Sequence, residues 1–593
     1  MSKKTFSLSL PALPAWATLS HNRFIAGAVI MVTAVGTLSG CATAPSVQQA
    51  AVRQAPLEVK LIAFNDFHGN LKTPSNRVPV PDATQATGIR YDAAGGVAQF
   101  AALIKTLKAK NPNYAVITAG DMVGASPLLS ALFKDEPTIE AMNLIGLDFH
   151  SVGNHEFDYG AEHLKRLQAG GCAINGKTKL PDCGKREPYK GANFQFLAAN
   201  VVENATGKTI FPPYGVKEFE GIKIAFIGMT LRDTPAIVRP GGTAGLTFND
   251  EVDTVKALMP ELKKQGIEAI VVLVHEGGVQ TGGINECVDF SGRGREIAEQ
   301  LPADVSVVVT AHTHRYYICN VANKLVTSAG SYGTLVTEID LTIDRATRKI
   351  TAKRANNLVV DPNGPKDAAL AALVDKYSQL AEPLESSEIA RVASEISLVA
   401  NHAGESTLGN LIADAHLFAT TAPDKGGAVI AFNNPGSLRA PIIPAANGGV
   451  SYGALFKVQP FQNDLITMTL TGAQLKAVLE QQFLTPTVGE RPRLLGVSKG
   501  FSYSWDALKP HGERIVPGSM RLNGMLIRAD LQYRVTANSF VAGGSEGYTV
   551  FRDGTERQVS VLDLEALVQF FAVYAAQSPY MPPALGSRLI RLN

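Results

Sequence analysis

Four short runs rich in β-branched and aliphatic residues, LEVKLIAF, YAVIT, IEAIVVLV and VSVVV, constrain this chain most. Each is a near-continuous apolar stretch with no polar alternation, the pattern of a strand buried on both faces, as in a parallel sheet covered by helices. Just after these and neighbouring runs come small groups of oxygen- and nitrogen-bearing side chains: Asp66 and His68, Asp121, Asn154, His275, and His312 with His314. Open α/β sheets gather ligands beyond the carboxyl ends of their strands, so the order of these residues predicts a single convergent site. Carboxylates mixed with imidazoles suit Zn²⁺, Mn²⁺ or Fe²⁺ better than a thiolate site or an all-oxygen calcium site would. Seven such ligands are enough for two divalent ions, and the expectation is a metal-dependent hydrolytic centre.

Composition narrows the alternatives. At 593 residues the chain exceeds what one hydrophobic core supports. Fifty-five basic and fifty-three acidic residues leave a formal charge of +2, which excludes a broad basic surface and predicts no nucleic-acid polymer as partner. Between Leu57 and about Val360, β-rich runs alternate with helical stretches such as VAQFAALIKTLKAK, the pattern of a layered α/β domain (57–360). Residues 361–397, with DAALAALVDKYSQLAEPLES, read as a linker helix. Residues 398–593 read as a second α/β unit.

The first forty residues stand apart from the fold. Lys3, Lys4 and Arg23 precede the apolar run FIAGAVIMVTAVGTL, which meets Leu38-Ser39-Gly40-Cys41. The run is shorter than a spanning helix needs and ends in small residues. It resembles a bacterial lipoprotein signal (1–40), which implies cleavage before Cys41, lipid on that cysteine, and a flexible tether over 41–56. The protein is therefore expected to be exported and anchored in the cell envelope, with Ala42 resembling the outer-membrane sorting pattern. Four cysteines remain. In an exported chain they are expected in disulfides, and the close spacing of Cys172 and Cys183 favours that pair, leaving Cys287 with Cys319.

The metal motifs carry more than ligands. In Asn65-Asp66-Phe67-His68 the two ligands are two apart, and in extended chain they face one side. Gly120-Asp121 ends a strand where glycine lets the backbone turn, so that the carboxylate can bridge two ions. Gly153-Asn154-His155-Glu156-Phe157-Asp158 supplies a neutral amide ligand and leaves His155 and Asp158 free for another role. Each residue alone is unremarkable; together these segments hold five of the eleven histidines.

DFHG, GD, GNHEFD, HEGG and AHTH resemble the calcineurin-like metallophosphoesterases, and the later NPGSLR and NSFVAGGSEGY narrow the resemblance to the bacterial and animal 5′-nucleotidase family. The resemblance implies an N-terminal four-layer α/β/β/α sandwich, a linker helix and a C-terminal α/β substrate-binding domain that rotates to carry the nucleotide to the metals. It implies one ion on Asp66, His68, Asp121 and His314, and a second on Asp121, Asn154, His275 and His312, with Zn, Mn, Fe, Co or Mg as candidates. The ion pair would acidify a water for in-line attack on phosphorus, while His155, oriented by Asp158, stabilises the charge that develops. Asn434 and Arg439 match substrate-holding positions, and Phe461 and Phe540 match two aromatic positions that clamp the base. Glu546 stands where the family usually has an aspartate for the ribose hydroxyls. His402 stands where relatives often carry an arginine, three residues before a glutamate. The activity implied is release of the 5′-phosphate from nucleotides. An alternative is hydrolysis of phosphodiesters or pyrophosphates in 2′,3′-cyclic nucleotides, NAD or UDP-sugars. A third reading, of another class, is a non-catalytic surface-binding lipoprotein.

Overall fold

The computed structural model describes residues 55–82, 84–85, 88–172, 189–238, 241–483, 494–576 and 578–593. The expected signal, Cys41 and nearly all of the tether lie outside the described residues, as does Cys183.

Two six-stranded sheets pack face to face. In the first, Leu57–Phe64 runs parallel to Tyr114–Thr118, which continues in parallel to Phe149–Ser151 and Gln195–Leu197. The antiparallel strands Leu335–Ile343 and Ile350–Val359 complete its other side. In the second sheet, Ile222–Thr230, Ala269–His275, Val305–Thr310 and Lys324–Ala329 are parallel, with antiparallel strands at both edges.

Period-two alternation divides each strand between two cores. Leu61, Ala63, Ala115 and Ile117 of the first sheet meet Ile224, Phe226, Val271, Leu273, Val307 and Val309 of the second. Their neighbours face outward: Ile62, Phe64 and Val116 pack under the helix Val97–Ala109, while Ile270, Val272 and Val308 pack under Glu251–Lys264 and Arg293–Gln300. Val97–Ala109 buries Val97, Phe100, Ile104 and Leu107, one stripe at helical spacing. Glu251–Lys264 starts where the Asp250 side chain accepts from the N–H groups of Val252 and Asp253. The result is the four-layer α/β/β/α arrangement. Cys287 and Cys319, 32 residues apart, are joined by a disulfide. Cys172 is also disulfide-bonded.

The helix Ala368–Glu385 belongs to the first core. Leu370, Leu373, Tyr377 and Ala381 sit in it, and Tyr377 donates to Glu140 at 2.8 Å. The strand Glu388–Arg391 follows and pairs with Gly449–Ser451 of the second half. There a five-stranded sheet, ordered Gly496–Val497, Ile430–Asn433, Gln532–Asn538, Asp464–Thr471 and Thr555–Leu562, carries its own core under the helices Thr407–Thr420, Gly472–Gln481 and Asp563–Tyr574. Among the described residues no helix is long and apolar enough to cross a membrane.

Candidate active site

The seven expected ligands converge where the parallel strands of both sheets end. Asp66 and His68 follow Leu57–Phe64, Asp121 follows Tyr114–Thr118, and Asn154 follows Phe149–Ser151. From the second sheet, His275 is the last residue of its strand, while His312 and His314 follow Val305–Thr310. Ligand atoms of Asp66, His68 and His314 lie within 4.8 Å of one another, as do those of Asp121, His275 and His312. The two groups meet through Asp121, whose Oδ2 is 3.0 Å from His275 Nε2 and 3.6 Å from His68 Nε2.

The backbone is bent to achieve this. Asp66, His68, Asp121, His312 and His314 all have φ between 46° and 68°, the left-handed region that side-chain-bearing residues avoid. Five of seven ligands in that region, each costing roughly 1–2 kcal/mol, is strain gathered at one place and held by its surroundings. Asp66 N donates to Gly120 O at 3.0 Å and His68 N to Asp121 O at 3.0 Å, so the first two ligand loops brace each other. Asn65 donates to Asp66 Oδ2 at 2.7 Å and to Gly330 O at 2.8 Å. Gly120 (φ 103°) is required, because a Cβ there would fall 2.4 Å from His275 Nδ1.

The donor set fits cations. His68 Nδ1 lies 2.8 Å from Gly124 O, and His275 Nδ1 lies 2.9 Å from Ala119 O. A carbonyl only accepts, so each Nδ1 carries the proton and each Nε2 presents its lone pair inward. There His68 Nε2 faces His314 Nε2 at 3.1 Å, and His275 Nε2 faces Asn154 Oδ1 at 3.1 Å. Acceptors aimed at acceptors over such distances match the edges of a shell about 2.0–2.2 Å in radius around a divalent ion. Burial drives His68 down to about 3 and His312 to about 4, leaving neutral imidazoles. For Asp121, burial alone would favour the acid, but His275 and His155 hold it well below the usual carboxylate range. At His275 burial is overridden by Asp121, and the pKa rises to about 10. Without an ion, a proton meets the same electrostatic demand.

His155 stands beside this cluster. Its Nδ1 is 2.8 Å from Asp158 Oδ2, and its ring lies edge-on to His68 at 5.1 Å. Burial disfavours charge here, but Asp158 and Asp121 outweigh it and push the imidazole up to about 9. A protonated ring tied to Asp158 through one nitrogen can donate from the other.

One cleft of about 1150 Å³ takes in the ligand cluster and the second domain together. It is lined by His68, Asp121, Asn154, His155, Asp158, His312 and His314 from the first domain, and by Asn434, Arg439, Phe461, Phe540 and Glu546 from the second. Phe461 stacks on His155, centroids 6.1 Å apart and 18° between planes. The Arg439 guanidinium lies 5.7 Å over Phe461 and donates to Tyr332 Oη at 3.3 Å. Asn434 donates to Glu546 Oε2 at 3.1 Å and accepts from Asn538 Nδ2 at 2.9 Å. Phe540 packs partly against the second-domain core.

His402 departs from the expectation. Its side chain is exposed and does not line the cleft. Asn401 Oδ1 accepts from Ala403 N and Glu405 N at 2.9 and 3.0 Å, a side-chain turn in which His402 faces solvent. Tyr332 has the opposite history: nothing in the sequence singled it out, yet it lines the cleft with φ 62°, its ring beside His68 and His314 at 5.8 and 5.3 Å. The glycines around it in GSYG were the available signal.

Residues 59–316 match the calcineurin-like phosphoesterases, and residues 385–553 match the 5′-nucleotidase C-terminal domain. The chain is similar to Endonuclease YhcR of Bacillus subtilis, 31% identical over 522 residues, a match covering 87% of this chain and 40% of that protein's length. It is also similar to the 5′-nucleotidase of Vibrio cholerae, 26% identical over 567 residues, covering 88% of this chain and 91% of the relative. Among solved structures it resembles the 5′-nucleotidase precursor from Thermus thermophilus, with TM-score 0.67 and 25% identity over 91% of this chain and 100% of the other.

Proposed function

The chain belongs to the 5′-nucleotidase family of metal-dependent calcineurin-like phosphoester hydrolases, and on that premise we propose that it removes the 5′-phosphate from nucleotides, giving nucleoside and phosphate. The observation that carries this reading is the single cleft shared by the ligand cluster and the second domain's aromatic, amide and guanidinium groups. When bound, two divalent ions supply Lewis acidity at the phosphoryl oxygens and lower the pKa of an attacking water. Asp66, His68, Asp121 and His314 would hold one ion, and Asp121, Asn154, His275 and His312 the other.

The chain's own groups supply the rest. His155, fixed by Asp158, donates to a phosphoryl oxygen as charge builds there. Arg439 offers a planar fork to the phosphate. Phe461 and Phe540 hold the base by stacking, which is indifferent to base identity. Glu546, with Asn434 beside it, meets the ribose hydroxyls. The domain limits 57–360, 361–397 and 398–593 belong to the same proposal, as do export and a lipid on Cys41, which rest on the sequence pattern alone. A non-catalytic role has little support, since His155 and Asp158 stand together in the cleft.

A second reading is hydrolysis of phosphodiesters or pyrophosphates. The cleft's volume exceeds the roughly 300–1,000 Å³ usual for small-ligand pockets, leaving room for a longer substrate. The endonuclease name belongs to the relative alone but favours testing this. Chromatographic product analysis after incubation with AMP, 2′,3′-cyclic AMP, NAD, UDP-glucose and a short oligonucleotide, with and without chelator, decides between the readings, because only the monoester frees inorganic phosphate in one step. AMP as the best substrate by kcat/KM supports the first; turnover of the others with none of AMP removes it.

A further inference from the structure

Beneath the ligand loops lies a carboxylate that no step above uses. Glu156 is 1% exposed and sits in the short turn His155–Phe157. Its Oε1 accepts from Met122 N at 2.8 Å and Val123 N at 3.3 Å. Its Oε2 accepts from Gly153 N at 2.6 Å and Asp121 N at 3.1 Å. One side chain thus takes four backbone N–H groups, drawn from the two separate loops that deliver Asp121 and Asn154. Among the described residues no backbone carbonyl accepts from these four groups.

The packing leaves no slack. A Cβ on Gly153 would fall 2.3 Å from Asp121 Oδ1, 2.5 Å from Asp121 N and 2.9 Å from Glu156 Oε2. The fully buried His150 closes the rear, with Nε2 3.3 Å from Glu156 Oε1 but without the alignment of a hydrogen bond. Asp121 holds a left-handed backbone, φ 48°, and its Oδ1 also accepts from His155 N at 2.9 Å. Something must hold that conformation, and the carboxylate beneath it is placed to do so.

We propose that Glu156 is a positioning residue for the metal pair: by clamping the Asp121 and Asn154 loops to each other, it sets the gap that the two ions share. This rests on the two-ion reading above. A carboxylate is the one side chain able to do it, because both oxygens only accept. In Glu156→Gln, whichever way the amide lies, an NH₂ group faces two N–H donors. At the Oε2 position it loses Gly153 N and Asp121 N and frees the Asn154 loop; at the Oε1 position it loses Met122 N and Val123 N and leaves one oxygen to hold both loops.

The test is a calorimetric titration of Mn²⁺ into the metal-free full chain, with circular dichroism to establish folding. The parent binding fewer than two ions refutes the two-ion reading, before any variant is compared. With two ions on the parent, Glu156→Gln is expected to weaken Mn²⁺ binding by about 10–100-fold, the usual effect of removing a group that orients a ligand. Glu156→Asp keeps both acceptor oxygens one methylene further back and is expected to lose about three- to tenfold, a partial rescue that tracks the carboxylate. Folded Glu156→Gln binding two Mn²⁺ ions at parental affinity overturns the proposal. If that variant does not fold, the aspartate variant decides, and parental affinity in it overturns the proposal equally.

Discussion

Replacing His155 by alanine tests the assignment of the transition-state donor. The imidazole sits 2.8 Å from Asp158, with 22% of its side chain exposed to the cleft, and its pKa is pushed up to about 9. It therefore reaches a bound phosphoryl group as a cation already oriented, with no rearrangement needed as charge develops. Removing one such pre-aimed donor costs about 2.7–4 kcal/mol, or about 10²–10³ in kcat. Because the bond strengthens at the transition state, KM should change less than threefold or so. Asp158→Asn keeps the ring but removes its charged partner. A hydrogen bond to a charged group contributes about 1.5–3 kcal/mol, so kcat should fall about 10–100-fold. The two residues act as one unit, and the double variant should be no slower than His155→Ala alone. The assay is steady-state phosphate release at saturating divalent ion, with metal content measured on each variant. A His155→Ala enzyme with its full complement of ions and kcat within threefold of the parent would refute the reasoning. So would a double variant whose losses multiply.

Three further outcomes are expected. Chelation should abolish phosphate release and lower the melting temperature, with stability regained by about 2.7 kcal/mol at a hundredfold excess of ion over its Kd, and an unchanged melting curve would count against a resident metal pair. Phe461→Ala should raise KM for adenosine, guanosine and uridine monophosphates alike by about 5–100-fold, since stacking contributes about 1–3 kcal/mol whatever the base; an unchanged KM would assign Phe461 to packing. Arg166→Met removes the cation 2.8 Å from the buried Glu136, where the two side chains are 6% and 1% exposed, and should cost about 3–5 kcal/mol in urea unfolding; a near-neutral result would show that other groups already satisfy Glu136.

The buried strands were legible because a strand covered on both faces has nowhere to put a polar residue, and runs such as IEAIVVLV say so directly. The ligands were legible because each follows such a run within a few residues. What the sequence hides arises across long separations. Tyr332 meets Arg439 of the other domain only after folding, and the stretch of chain that separates them by 107 positions carries no trace of that contact. His402 looked like a substrate contact by position, but an Asn401 side-chain turn decides where it points. The left-handed backbone at five ligands is equally silent, because aspartate and histidine, though they take such dihedrals more often than most side-chain-bearing residues, do so only in a minority of positions. An amphipathic stretch announced the helix Ala368–Glu385 without saying which core it would join.

That helix decides how the halves are joined. It is fastened into the first domain up to Glu385, and the strand at Glu388 is already stitched to the second, so Ser386 and Ser387 alone lie between. A joint two residues long works as a swivel and not as a leash. Whatever reorientation the C-terminal half undergoes, its near end stays pinned while its far end sweeps an arc. Were the C-terminal half to reorient, the cleft residues it carries would move relative to the ligand cluster only by turning about that pin.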